Sequence, residues 1–191
     1  MSLKIVTPPT AEPVTLLEAK DHLRVDGSDD DALISVLITA ARKWAEEYTG
    51  RQFVTATWDW FLDGFCQSFS VPIPPLQSVT SIKYLYTAGA EQTLDAATYR
   101  VDAVSEPGRI ALDYGKSWPA TYQVINDVTV RFVAGYGAAS AVPACIKNWM
   151  LIRIKTLWDQ RDQLVKQLGM PTFEPTWVDS LLDPEVVRSY S

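Results

Sequence analysis

The chain has 191 residues, 47% of them apolar and 21% charged, with a net charge of -6, which suits one domain, or one domain carrying an insertion. The acidic balance and the lack of any basic run exclude binding driven by phosphate contacts, which needs clustered Lys and Arg. No apolar run approaches the ~20 residues of a membrane span, no signal-peptide core opens the chain, and Cys66 and Cys145, lone and far apart, read as reduced thiols of a cytosolic protein rather than as a zinc pattern or disulfide framework.

Pro8, Pro9 and Pro13 predict an extended start. Thr15-Leu16-Leu17-Glu18 is a capping box, in which Thr15 and Glu18 satisfy each other's free amides. It opens a short helix over 16–24, with Leu16, Ala19 and Leu23 on one side, and Asp26-Gly27 breaks it. His22, the only histidine, lies in this helix with no Cys, Ser or carboxylate partner near it in sequence, and reads as a surface residue.

The stretch 28–51 is the best-marked helix. Ser28 is the expected cap, and Asp29, Asp30 and Asp31 sit where the helix dipole favours negative charge. Leu33, Ile34, Leu37, Ala41, Trp44, Ala45 and Tyr48 form an apolar stripe, with Ser35, Thr39, Arg42 and Glu46 expected on the opposite, solvent side. Gly50 closes the helix.

After Arg51 the period switches to two. Val54, Ala56, Trp58, Trp60 and Leu62 alternate with more polar residues as a half-buried strand. Phe69, Val71 and Ile73 suggest a second, flanked by Pro72, Pro74 and Pro75. The run 79–87 is a third, which Ala88-Gly89-Ala90 turns back into 91–94. A second pair, 99–102 and 109–112, flanks Glu106-Pro107-Gly108. Residues 115–126 read as a loop, and Val128, Val130 and Phe132 form the last strand. Pro143 then stands in the first turn of a long helix running to about residue 163, apolar over a wide arc. Gly169-Met170-Pro171 ends it, and the tail beyond carries Trp177, Leu181, Leu182 and Arg188 as a candidate docking arm.

The fold class is therefore α+β: a helical cluster of two N-terminal helices and one long C-terminal helix, with an inserted antiparallel β-sheet of five to seven strands. The expected divisions are 1–52 helical, 53–136 inserted sheet, 140–168 the long helix and 169–191 an extended tail.

Catalytic patterns fail one by one. Gly115-Lys116-Ser117 lacks the upstream glycine of a phosphate loop, since Ile110 stands there. The acids 26–31 lack the alternation of a calcium loop. Asp59 and Asp63 read as solvated strand carboxylates, and no Gly-x-Ser-x-Gly elbow occurs. No cofactor, metal site or enzymatic activity is expected.

Several segments, in order, resemble one family. Pro13-Val14-Thr15-Leu16 through His22-Leu23-Arg24-Val25-Asp26, then Tyr48-Thr49-Gly50-Arg51 and Pro74-Pro75-Leu76-Gln77-Ser78-Val79, are similar to the head–tail connector (adaptor) proteins of long-tailed phages and prophages. Ala88-Gly89-Ala90, Tyr99-Arg100-Val101, Tyr114-Gly115-Lys116-Ser117-Trp118-Pro119, Ala134-Gly135-Tyr136-Gly137, Val142-Pro143 and Leu181-Leu182-Asp183-Pro184 continue the set. The resemblance implies the subgroup with an inserted β-region and a structural role in the virion neck, assembled in the host cytoplasm. It implies a ring of about twelve copies under the portal protein, docking stopper or tail proteins and passing DNA through its channel without specific binding. Within that reading Arg42, Glu46, Glu47, Asp29, Asp30 and Asp31 are candidates for subunit contact or the channel wall. Replacing Glu46 and Glu47 together by Ala is expected to leave the fold intact. The alternatives are another neck or tail-completion protein, or a non-enzymatic protein-binding module without a phage role.

Overall fold

The computed structural model describes residues 2–160 and 176–187. They fall into two compact units, one built from the residues up to Thr10 and Val54–Tyr136, the other from Ala11–Phe53 and the described residues of Gly137–Arg188. The α+β expectation holds, with helices gathered in one unit and antiparallel strands in the other.

Among the described residues the strand unit has eight strands in two sheets. The larger, in spatial order, joins β1 (Ser2–Thr7), β2 (Ala56–Leu62), β8 (Val128–Ala134), β4 (Leu76–Leu85) and β5 (Glu91–Thr93). The smaller joins β3 (Ser68–Ser70), β7 (Arg109–Leu112) and β6 (Tyr99–Asp102). Both 99–102 and 109–112 sit where the alternation put them. The start of the chain is extended as expected, but it is also a paired strand, which the short polar–apolar alternation of Ser2-Leu3-Lys4-Ile5, followed at once by Pro8 and Pro9, did not reveal. Eight strands exceed the five to seven expected, and β1 accounts for the excess.

The centre of the larger sheet is the β2–β8 pair, in unbroken register from Ala56↔Ala134 to Leu62↔Val128. One face carries Trp60, Leu62, Val128, Val130 and Phe132, which pack with Phe69 and Ile110 of the smaller sheet. Trp60 meets Phe69 edge-on at 6.1 Å. From the 115–126 loop, Trp118 stacks on Phe65 at 4.8 Å. The opposite face is mixed, with Thr57, Phe61, Thr129 and Val133 around a charged central pair that corrects an expectation. Asp59 is not solvated; it is 9% exposed and accepts two bonds from Arg131, from Nε at 2.7 Å and Nη2 at 2.8 Å. Asp63 is exposed at the strand end and accepts the Asn126 N–H at 2.9 Å. Gly135 closes β8 at φ +127°, where an added Cβ would lie 2.8 Å from the Thr55 nitrogen and the Val54 carbonyl carbon. Only glycine fits that approach.

The helical unit contains α1 (Leu16–Leu23), α2 (Asp31–Thr49), α3 (Ala144–Gln160) and α4 (Thr176–Asp179). The Thr15/Glu18 capping box forms as predicted, and its bonds hold the Glu18 carboxyl below the usual range. Gly50 closes α2 in the left-handed conformation. The start of α2 is shifted, because the cap position falls on Asp30 rather than Ser28. Ser28 contributes its carbonyl instead, accepting from the Asp31 N–H at 3.2 Å.

Candidate subunit and docking surfaces

The face of α2 turned inward is not the one the stripe suggested. Buried positions are Ile34, Ile38, Ala41, Arg42, Ala45 and Thr49, whereas Leu33 is 41% exposed and Tyr48 39%. The true face lies about one residue further along, centred between Ala41 and Ala45. Trp44 still contributes, stacked on the wholly buried Trp149 of α3 at 4.9 Å and on Tyr48 at 5.1 Å. Contact of α2 with α3 is therefore as expected, through a rotated surface.

That rotation takes two candidate residues out of solvent. Arg42 is 8% exposed. Its Nε donates to Glu12 Oε2 at 2.6 Å and its Nη1 to Glu46 Oε2 at 2.7 Å. Glu46 Oε1 accepts from the Phe53 N–H at 3.0 Å and from Gln52 Nε2 at 2.6 Å. Glu46 thus ties the end of α2 to the segment that follows it. Burial pushes its carboxyl above the usual range, against the pull of the Phe53 amide and Arg42. Arg42 is desolvated too, yet two carboxylates hold its guanidinium charged and raise it further. Sequence reasoning placed both on the solvent side because polar residues at helical spacing usually are. The missed signal was Glu12, an acid with no other task in the proline-rich start.

The other candidates keep their access in varying degree. Glu47 and Asp29 are exposed, and Asp30 is partly so. Asp31 accepts from Lys20 Nζ at 2.6 Å, and the same ammonium donates to the Gly27 carbonyl, so it joins the end of α1 to the start of α2. His22 is exposed, as expected.

The closing segment is also corrected. It was expected to be an arm without partners of its own, but 176–187 folds as α4 followed by a 3-10 turn, Asp183–Glu185. Leu182 is 0% exposed and Val178 3%. Asp179 accepts from Trp149 Nε1 at 3.2 Å, Asp183 from the Tyr48 hydroxyl at 2.8 Å, and Val187 donates to the Thr49 carbonyl at 2.9 Å. The Arg51 guanidinium bonds the Glu185 carbonyl. Tyr48 is held above its usual range by the Asp183 carboxylate. Leu182 therefore belongs to the core and is unavailable to a partner in this conformation, while Leu181 is half-buried. Arg188 and the side chain of Trp177 lie outside the described residues.

No helix among the described residues is long and apolar enough to cross a membrane. Among the same residues, no cluster of His, Cys, Asp or Glu could hold a metal ion.

Comparison with known proteins bears on this arrangement directly. Residues 13–93 match the family model described as phage gp6-like head-tail connector protein. No curated protein matches the chain. Among solved structures, it is similar to a chain in the neck of an empty GTA particle computed with C6 symmetry. There the TM-score is 0.82 at 22% identity, over 100% of this chain and 98% of that one. Chains in the virion of a native gene transfer agent particle and in the neck of that particle computed with C12 symmetry give TM-scores of 0.77 and 0.76. Identity is again 22%, with the same coverage. At this identity the likeness is one of fold. The resemblance read from the sequence is thus borne out over 13–93, and the architecture over the whole chain.

Proposed function

We propose that this chain, which carries the gp6-like head–tail connector signature over 13–93, is a structural adaptor in the neck of a phage-like particle. The observation that carries the reading is the end-to-end correspondence of its fold with neck chains from particles treated with six- and twelvefold symmetry. A rotational ring needs each copy to meet its neighbour through two different surfaces, and a helical unit joined to a strand unit offers such surfaces. The portal protein is the inferred partner on one side of the ring, and a stopper or tail protein on the other.

A channel for duplex DNA works best if it does not hold the duplex, because each Lys–phosphate contact resists movement. The net charge of -6 suits that task. With Arg42 and Glu46 committed to the protomer interior, Glu47, Asp29 and Asp30 are the acids we assign to the channel wall or a subunit contact. The test is mass measurement of the full-length chain in solution with electron microscopy of any oligomer. A ring whose bore passes B-DNA, about 20 Å or more given grooves of ~6 and ~12 Å, supports the adaptor. A monomer that binds a small molecule tightly and never joins a particle refutes it.

A further inference from the structure

Two acids of the strand unit are buried, with opposite fates. Asp59 is met by the Arg131 guanidinium, but Asp127, 1% exposed, has no Lys or Arg paired with it among the described residues. Its Oδ2 accepts the Gln123 N–H at 2.7 Å, while its Oδ1 is buried with no hydrogen-bond partner among those residues. A buried acceptor left unmet is costly, and more so when charged, so folded proteins rarely keep one without a task.

Asp127 stands just before β8 and continues its register, since its carbonyl accepts the Leu85 N–H at 2.9 Å. Tyr84 is paired with Val128 and Lys83 with Thr129. Tyr84 and Val128 belong to the core, so alternation sends the Asp127 side chain out on the other face, with Leu85, Lys83 and Thr129. On that face is a cavity of about 180 Å³, lined by Asp127, Lys83, Leu85, Glu91, Asn126 and Thr129 among others. Its charges do not cancel. Lys83 Nζ is paired with Glu91 at 2.7 Å, which leaves the Asp127 carboxylate as the unmatched one. Asn126 and Thr129 add an amide and a hydroxyl, and Leu85 an aliphatic wall. The segment beside it holds Gln123 at φ 63°, an uncommon conformation for that residue.

We propose that this cavity binds an organic cation with N–H donors, an ammonium or guanidinium head group, whose charge is met by Asp127. A charge-assisted hydrogen bond gives Oδ1 the donor it lacks. A metal ion suits the site less well. Hard cations want several oxygens close around them, and among the described residues no cluster of His, Cys, Asp or Glu could hold one. The space also suits a head group of several atoms, since one water takes only ~30 Å³ of the liquid. Two sources carry such a group: a free small amine or guanidine, and a Lys or Arg side chain of a partner protein. The site lies wholly within the strand unit and does not depend on ring assembly.

The experiment titrates methylguanidinium and methylammonium chlorides into the full-length chain at fixed ionic strength, with amide shifts as the readout. The amides of Gln123, Asp127 and Thr129 should follow one saturable curve, half-complete at about 1–10 mM for a ligand of so few atoms. Those of Val104 and Ser105 should stay still. Asp127→Asn keeps an oxygen for the Gln123 N–H but drops the charge, and should weaken binding about tenfold or more; Glu47→Gln, at an exposed acid of the helical unit, should bind like the parent. A second arm uses N-acetyl-arginine methylamide and N-acetyl-lysine methylamide. Equal binding of these assigns the site to a partner's side chain, and binding of the small salts alone assigns it to a free ligand. Shifts that rise without saturating, an equal response in Asp127→Asn, or saturation by magnesium or calcium chloride in place of the organic salts would each overturn the proposal. Should Asp127→Asn not fold, the parent alone decides: no saturable shift within 123–129 overturns it equally.

Discussion

Replacing Glu46 by Ala tests the inward rotation of α2 most directly. The change removes the acceptor of the Phe53 N–H and of Gln52 Nε2, and one of the two carboxylates on Arg42. Phe53 is 0% exposed, so an unmet amide there costs about 1–3 kcal/mol, and the lost Gln52 bond about 1 more. Arg42 retains Glu12 at 2.6 Å, which limits the electrostatic loss, and relief from burying a carboxylate offsets part of the rest. The net expectation is about 2–4 kcal/mol, or a melting shift of roughly 5–15 °C for a chain of this size. Glu47→Ala, one residue along and exposed, should stay within about 0.5 kcal/mol of the parent. Urea titration of both variants, followed by tryptophan fluorescence, measures the contrast. Equal stability of the two would refute the placement of Glu46 inside the helical unit.

Leu182→Ala should destabilise by about 2–5 kcal/mol, as for other wholly buried leucines; a neutral result in thermal melting would mean that the closing segment is not docked. Gly135→Ala forces a Cβ against the Val54–Thr55 backbone at positive φ, so it should cost about 2 kcal/mol or more. Gly137→Ala, with its nearest neighbour at 3.9 Å, should cost less, and comparative denaturation separates crowding from conformational strain. Asp102 accepts from Ser105, Arg109 and Val104, which hold its carboxyl well below the ordinary range. Since its folded value is depressed, its contribution is complete above the unfolded value of about 3.9 and is lost as pH falls below it. Amide shifts of Val104 and Ser105 should therefore stay flat down to about pH 3.9, and a titration midpoint at or above that value would contradict the hydrogen bonding around Asp102.

Much of the fold was legible because its signals are local. The Thr15/Glu18 box, the Gly50 stop, the Ala88-Gly89-Ala90 turn and the strands at 99–102 and 109–112 each follow from a few neighbouring residues. What escaped depends on distant partners. Strand β1 pairs with β2, some fifty residues away, and the alternation of Ser2-Leu3-Lys4-Ile5 is too short a signal to announce it. Arg42 and Asp59 looked like surface charges because their partners, Glu12 and Arg131, stand 30 and 72 residues away. Leu182 looked free because the surfaces it buries against are made elsewhere in the chain. The acids proposed for the channel were legible only as acids; their duty belongs to the assembly.

The close approach at Gly135 has a consequence for how the chain folds. Val54 and Gly135 touch, and Ala56 is paired with Ala134, so the path into the strand unit and the path out of it run side by side. Once the sheet has formed, the two halves of the helical unit are joined by what is effectively a tight turn, not a tether of about 80 residues. By the logarithmic law of loop closure that spares roughly 3 kcal/mol of chain entropy when α3 docks on α2. The sheet is thus a parenthesis in the helical sentence, and its length is free to vary as long as its two ends stay clasped.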